Sequence, residues 1–518
     1  MKRRTFIKSS TAATIPVMLG KINVSALNNP FFKLLNQNDD RVLVLIQMSG
    51  GNDGLNMILP KNQYANLAAV RSNILVPENS ILGLTDTLGL HPSMTGLKRV
   101  YEDAKLNIIQ SVAYPNQNRS HFRSTDIWQT GSNAQEVWTT GWLGRYFNLL
   151  HPDYPTGYPN EDFPDPFAIT IGSSVSETCE GTGGNFSTAL VDPGNLSALT
   201  TPINRTLPNT CFGEQMEFLV NSISQTNSFN EVIEVANNKG ANLSSKYEDN
   251  NTLANKLKVV ARLIAGGLKT KVYVVDIGGF DTHSDQVLGG DRATGTHAAL
   301  LAELSDAIEA FQDDLQLLNL EQRVIGLTFS EFGRRIRSND SLGTDHGTAA
   351  PMMVFGACVN ATIIGDNPEI STEVDRQEGV AMQFDFRSVY SSLLVDWFGV
   401  AAQTVRDLLY PDFQHLPILN TCTQTTAIDF LDSNLVQLTI SPNPFRQQTQ
   451  LAFSVQSGWV KISLFDVAGS KLRILTNQKF TEGTYTLPLD TTGLSAGSYV
   501  CHIQTNYGQQ AVRLVKVH

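Results

Sequence analysis

The chain has 518 residues, 41% of them apolar, with 39 glycines, a formal charge of −11 and a pI near 5.3. Such a length and apolar fraction allow a large core and more than one domain, and exclude the fibrous and wholly disordered classes. The acidic balance excludes a surface built to grip a nucleic-acid backbone, which needs clustered positive charge.

The first residues read as an address. MKRRTFIK places paired arginines before Phe6, Ile7 and Lys8, the apolar stretch STAATIPVMLG follows, and Val24-Ser25-Ala26 offers small residues for a signal peptidase. Residues 1–26 resemble a twin-arginine export signal, used for proteins exported already folded. No later stretch reaches about 18 uncharged apolar residues, so no transmembrane anchor is expected.

From about residue 40 to about 430 the pattern is strand, glycine-rich loop and helix, repeated. RVLVLIQM (41–48) is a near-continuous apolar run, the mark of a strand buried on both faces, and it ends in SGGNDG. LNIIQSVAY (106–114) empties into PNQNRSHF. The stretch from about 181 to 255 is rich in Asn, Ser, Thr and Gly, carries one expected helix in CFGEQMEFLVNSI, and reads as a surface insertion. KVYVVDI (271–277) empties into GGFDTH. A helix follows, with Leu300, Leu301, Leu304, Ile308, Phe311, Leu315 and Leu318 forming one apolar stripe. RVIGLTF (323–329) leads into SEFGRR and then GTDHG, and PMMVFGA (351–357) reads as another strand. This alternation predicts an open α/β sheet covered by helices on both faces.

After the linker TCTQTTAIDFLDSN the style changes. From about 437 to 518, short alternating strands separated by turns predict a small antiparallel β-sandwich of about 80 residues. The cysteines at 179, 211, 358, 422 and 501 form no C-x-x-C pair, so a zinc–thiolate site is not expected; Cys179 and Cys211 could close a disulfide across a loop.

Four of the expected strands end in loops rich in acids, hydroxyls or histidines. The sets are Asn52 and Asp53; Ser120, His121, Ser124 and Thr125; Asp281 and His283; then Glu331, Arg334, Arg335, Asp345 and His346. Ligands of open α/β sheets bind outside the carboxyl ends of the strands, so these loops are expected to meet in one crevice. Each set alone is an ordinary turn: Asn-Asp-Gly is common, and Arg334 and Arg335 beside Glu331 fit a solvated ion pair. Taken together, carboxylates and imidazoles without thiolates suit Zn²⁺, Mn²⁺, Mg²⁺ or Ca²⁺. Two such ions could clamp an in-line displacement at phosphorus or sulfur, a nearby ion could lower the pKa of a hydroxyl such as Ser120, and an arginine fork could hold the remaining anionic oxygens.

VLIQMSGGNDGLN, NRSHFRSTDIWQTG, DIGGFDTHSDQ and SEFGRR…GTDHG, in that order, resemble the motifs of the domain-of-unknown-function 1501 family, within the alkaline-phosphatase-like superfamily, over roughly residues 40–400. The resemblance implies an alkaline-phosphatase-like sheet and hydrolysis of phosphate or sulfate esters with one or two divalent metals. It matches Asp53 to the acid after the first strand, Asp345 and His346 to the pair that holds the same ion, and Asp281 and His283 to the ligands of the other. Ser120, at the start of a helix, becomes the expected nucleophile, with Ser124 and Thr125 as competitors; Arg334 and Arg335 become the anion-binding side chains. The superfamily spaces its acid and histidine more widely and supplies a further histidine downstream. His415 lies in an unpromising context, so His121 is the candidate for that ligand. His91 fits a structural loop, and His297 a helix start.

SPNPF, LFDVAGSKL and GLSAGSYVCHI in the C-terminal module resemble the sorting tail of the type IX secretion system of Bacteroidetes. It implies passage through that machinery to the cell surface or medium, by way of the periplasm. The expected function is an exported metallohydrolase acting on a small-molecule or glycan ester. The alternative is a non-catalytic surface protein that binds glycans or sulfated polymers.

Overall fold

The computed structural model describes residues 40–194, 226–420 and 436–517, apart from 456, 467–470, 490 and 506–508. The export signal, the helix expected in CFGEQMEFLVNSI, Cys211 and the linker lie outside the described residues. Residues 40–422 form one compact unit, and the segment from 423 onward belongs to another.

The first unit is built on a nine-stranded sheet. Its strands are β1 (Val42–Met48), β2 (Leu106–Ala113), β3 (Ala168–Ile171), β4 (Ser187–Leu190), β5 (Val272–Ile277), β6 (Val324–Phe329), β7 (Ala350–Phe355), β8 (Ile363–Ile364) and β9 (Phe384–Asp385). Their order is β8-β2-β7-β6-β1-β5-β3-β4, with β9 also on β2. β1 lies at the centre, parallel to both β5 and β6, which is why its residues are apolar on both faces. β7 runs antiparallel between β6 and β2. Strands β1, β2, β5 and β6 therefore share one direction, and their carboxyl ends lie along one edge.

The helices flanking these strands are α1 (Tyr64–Arg71), α2 (Thr95–Glu102), α3 (His121–Thr130), α4 (Trp142–Leu150), α5 (Thr252–Ala265), α6 (Thr296–Leu317) and α7 (Phe386–Asp396). One face of the sheet, with Val42, Val44, Ile46, Tyr273 and Val275, packs on α2, α5 and α6. The stripe expected on α6 is there: Leu301, Leu304, Ile308, Phe311 and Leu315 are buried in that core. The opposite face, with Leu43, Leu45, Val274, Ile325 and Leu327, packs on Trp128 of α3, on Trp142 and Phe147 of α4, and on Tyr390 of α7. An α/β sheet covered on both faces is thus observed as expected. Asn251 caps α5, its side-chain oxygen accepting from the amide of Ala254 at 2.7 Å.

The stretch 181–255 does not behave as a surface insertion at its described ends. Residues 187–190 pair with β3 as an edge strand, and the helix at 226–239 buries Phe229, Ile233 and Ala236 in the core. Widely spaced apolar residues among polar ones concealed both elements. Cys179 is free and buried, not bonded to Cys211, whereas Cys358 carries a disulfide.

The described part of the second unit is all-β. Strands β10 (Val436–Ser441), β11 (Thr449–Val455), β12 (Gly458–Asp466), β13 (Lys471–Phe480), β14 (Gly483–Leu489), β15 (Gly497–Thr505) and β16 (Gln509–Lys516) form two antiparallel sheets, β10-β11-β14 and β13-β12-β15-β16. Alternate residues such as Leu451, Phe453 and Val455, or Val460, Ile462 and Leu464, meet in one apolar core. Among the described residues no helix is long and apolar enough to cross a membrane.

Candidate metal centre

The loops after β2, β5 and β6 converge. His121, first residue of α3, comes within 3.4 Å of the Asp281 carboxylate through Nε2. His346 Nε2 lies 3.1 Å from Asp281 Oδ1 and 2.9 Å from His283 Nε2, which is itself 3.1 Å from Asp281. The ring of Phe332 packs beneath His121 and His346, its centroid 5.0 and 4.6 Å from theirs.

Each imidazole is held from behind. His121 Nδ1 donates to Glu331 at 2.8 Å, His283 Nδ1 to Asp345 at 3.0 Å, and His346 Nδ1 to the Arg119 carbonyl at 2.8 Å. A carbonyl or an ionised carboxylate can only accept, so in the neutral imidazole the ring proton of all three sits on Nδ1, and each Nε2 then carries a lone pair. Those lone pairs face one another and a carboxylate. Acceptors crowded to 2.9–3.1 Å repel unless a cation lies among them. Such backing by carboxylate or carbonyl is how proteins orient metal-binding histidines. His121, Asp281 and His346 satisfy the geometry of a metal site, with His283 beside them. The donor set therefore fits a divalent ion, and its nitrogen content suits zinc better than magnesium, calcium or manganese.

The Asp345–His346 doublet works from two sides. Residues 334 and 346 pair as an antiparallel bridge, so neighbouring side chains diverge. Asp345 holds Nδ1 of His283 while His346 meets its Nε2. The glycines on either side are there for close approach, and neither has a positive φ. A Cβ on Gly343 would lie 2.4 Å from the His283 carbonyl oxygen, and one on Gly347 2.1 Å from the Arg334 carbonyl carbon.

Several expected roles change. Asp53 is 1% exposed and meets Arg71, 0% exposed, through both carboxylate oxygens at 3.0 and 2.9 Å; Gln286 donates to it at 2.7 Å. Burial alone would raise its pKa, but Arg71, His297 and Gln286 outweigh that and hold the carboxyl below the usual range. Its charge is thus neutralised by a guanidinium, and it stands outside the histidine cluster. Asp345 spends one oxygen on His283 and the other on Arg335 at 2.9 Å, which makes it the support of a ligand. Arg334 is buried and donates to the carbonyls of Gly50, Gly51, Phe280 and Thr344 and to Asp281, stitching three loops together. At 1% exposure its fork is turned into the protein and held by these groups.

Ser120 occupies the N-cap position of α3, yet its side chain makes no capping bond, and the residue is exposed. Ser124 is buried and its hydroxyl donates to the Glu331 carbonyl at 2.5 Å, and Thr125 is half-buried. His415 pairs with Asp396, and His91 and His297 are buried side by side, as loop and helix-start residues. Sequence reasoning passed over Arg71 and Arg119. Neither carries a spacing signal, because each arrives from a separate element and is defined only by what it meets.

Residues 439–517 match the secretion system C-terminal sorting domain, a module that implies export. No curated protein matches the chain. Similar solved structures include a protein of the alkaline phosphatase superfamily from Vibrio parahaemolyticus, at 11% identity and a TM-score of 0.33, covering 92% of this chain and 82% of that one. A sulfatase from Pseudoalteromonas sp. is similar at 10% identity and a TM-score of 0.32, with 89% and 86% covered. A phosphonate monoester hydrolase from Silicibacter pomeroyi is similar at 9% identity and a TM-score of 0.31, with 92% and 89% covered. Residues 40–396, which hold every strand-end motif described above, match the model of a protein of unknown function, DUF1501, and the chain belongs to that family.

Proposed function

We propose that the chain is an exported, divalent-metal-dependent hydrolase of phosphate or sulfate esters with Ser120 as nucleophile. The observation that carries this reading is the convergence of three Nε2 lone pairs on Asp281, each imidazole fixed from behind. When bound there, a divalent ion polarises an ester oxygen and offsets negative charge. Glu331 and Asp345 keep His121 and His283 in their tautomers. Ser120 Oγ, free of capping duty, sits at the positive end of α3, where an anionic group is favoured. It forms the new bond to phosphorus or sulfur as the ester bond breaks, its proton leaves with the departing alcohol, and water then frees the inorganic anion.

Elemental analysis of the full chain should find a single divalent ion, lost in His346→Ala. Wild-type protein should turn over aryl phosphates or sulfates, and Ser120→Ala should not. Protein that holds no metal and acts on neither ester with any added divalent ion sinks the proposal.

A second reading, a surface protein that binds glycans or sulfated polymers without turnover, is favoured by Asp53. Arg71 occupies the carboxylate expected to serve a second ion. That reading expects no turnover, and glycan retention indifferent to Ser120→Ala. The C-terminal module supports delivery by type IX secretion, from periplasm to cell surface or medium; removing residues 437–518 should strand the protein in the periplasm.

A further inference from the structure

At the amino edge of the large sheet, opposite the edge that carries the histidine cluster, α2 and α6 flank a cavity of about 150 Å³. Lys105, just ahead of β2, and Gln316, in the last turn of α6, line it and fix it at that edge. α6 also supplies Glu309, Gln312 and Asp313, spaced by three and four so that they turn to one side. Gln312 stands apart from the rest. It is 3% exposed, and neither Nε2 nor Oε1 of its carboxamide has a hydrogen-bond partner among the described residues. A buried carboxamide ordinarily satisfies both ends within the protein. Gln312 leaves both open at the wall of a cavity, where an incoming molecule can meet them.

The charges that line the cavity are already matched. Glu309 accepts from Arg99 at 2.7 Å and from Lys246 at 3.0 Å, and Lys246 also meets Asp313 at 3.1 Å. Lys105 donates to Glu321 at 2.7 Å and to Gln316 at 2.9 Å, and Glu102 pairs with Lys98 at 2.9 Å. Asp103 has no ion pair among the described residues, and it is exposed to solvent. The hydrogen-bonding capacity left inside is therefore one donor beside one acceptor, and its complement is a carbonyl beside an N–H on one edge of a molecule. A trans peptide bond points these two groups in opposite directions, so the main chain of a partner cannot present them together. A primary carboxamide or a cyclic amide holds them side by side. One water takes about 30 Å³ of liquid, so the cavity has room for about five waters or for one small organic molecule.

We propose that this cavity is a second ligand site, which binds a small uncharged molecule through a carboxamide or cyclic-amide edge paired with Gln312. Nε2 of Gln312 donates to the ligand carbonyl, and its Oε1 accepts from the ligand N–H. The site stands independently of the ester chemistry proposed above.

The test is NMR on the full chain labelled with ¹⁵N-glutamine, with 2-pyrrolidinone, propanamide and cyclopentanone as probes. Cyclopentanone keeps the ring and carbonyl of 2-pyrrolidinone and lacks its N–H. The side-chain amide signals of Gln312, identified by their absence from Gln312→Leu, should shift on addition of 2-pyrrolidinone or propanamide. The Kd should be on the order of millimolar for molecules this small, and the tighter of the two amides separates a ring from an open carboxamide. Cyclopentanone should bind at least about tenfold more weakly, for want of the N–H. Thermal melts give a second reading. Gln312→Leu should melt no lower than wild type without probe, because it removes a buried, unpaired polar group. It should gain nothing from 2-pyrrolidinone, whereas wild type should rise. Gln312 signals that stay still with both amides, or that move equally with cyclopentanone, overturn the proposal and leave a cavity for water only. A Gln312→Leu chain that melts well below wild type gives the carboxamide a structural role and overturns it as well.

Discussion

Asp53 and Arg71 meet where neither reaches solvent, and the consequences of that pairing can be measured. Removing one partner of a buried ion pair strands the other charge. Asp53→Ala should therefore lower stability by about 3–5 kcal/mol in denaturant unfolding and leave the metal content unchanged. Lost metal at unchanged stability would instead make Asp53 a ligand. His297 lies beside this pair, its Nε2 bonded to Asn52 at 2.9 Å, with Asp53, Arg71 and Arg334 acting on it. Burial lowers it to about 4 and the adjoining His91 to about 3. An unfolded imidazole titrates near pH 6.5, so below that value the unfolded chain takes up protons the folded chain refuses. Stability should be full above about pH 6.5 and fall by roughly 1 kcal/mol per pH unit per histidine as the pH drops toward 4. Thermal melts at pH 7 and pH 5 check this, and His297→Gln should flatten part of the slope. The histidines and the aspartate that cluster were legible in the sequence as candidates because each follows a recognisable strand. The fates of Asp53 and Arg334 were not, since a charged side chain is assigned by its partner, and both partners arrive from elsewhere.

At the scale of elements, the site is a product of strand direction. β1, β2, β5 and β6 are parallel, so loops separated by up to hundreds of residues open on the same edge. Apolar runs identified these strands from sequence, and the three-and-four spacing identified α6. The antiparallel course of β7 and the edge strand at 187–190 were hidden, because direction and edge position depend on pairing and leave little trace in composition. The loop holding the Asp-His doublet depends on backbone contact at its glycines. Gly347→Ala would drive a Cβ into the Arg334 backbone, which cannot yield as a flexible side chain would. The expected outcome is a loss of about 1–3 kcal/mol and weaker metal retention, read by unfolding and elemental analysis. A variant that keeps both would show that the doublet tolerates a shifted backbone.

At the scale of the whole molecule, among the described residues the apolar cores on either face of the large sheet draw on residues of the first unit, and the sandwich core on residues beyond 436. A chain ending at residue 422 is therefore expected to melt within a few degrees of the full protein's first transition and to retain its metal; joint collapse in calorimetry would refute that independence. Periodicity by itself established the α/β body, the change to short alternating strands and the loops worth watching, because burial imposes its period on the chain wherever the element sits. Tertiary structure alone decided that Arg71 neutralises Asp53, that Arg334 binds carbonyls, and that three imidazoles turn their Nε2 atoms toward one carboxylate. Those are matters of which atoms meet across hundreds of residues, and hydrogen-bond partnership, unlike hydrophobic period, is not written in local spacing.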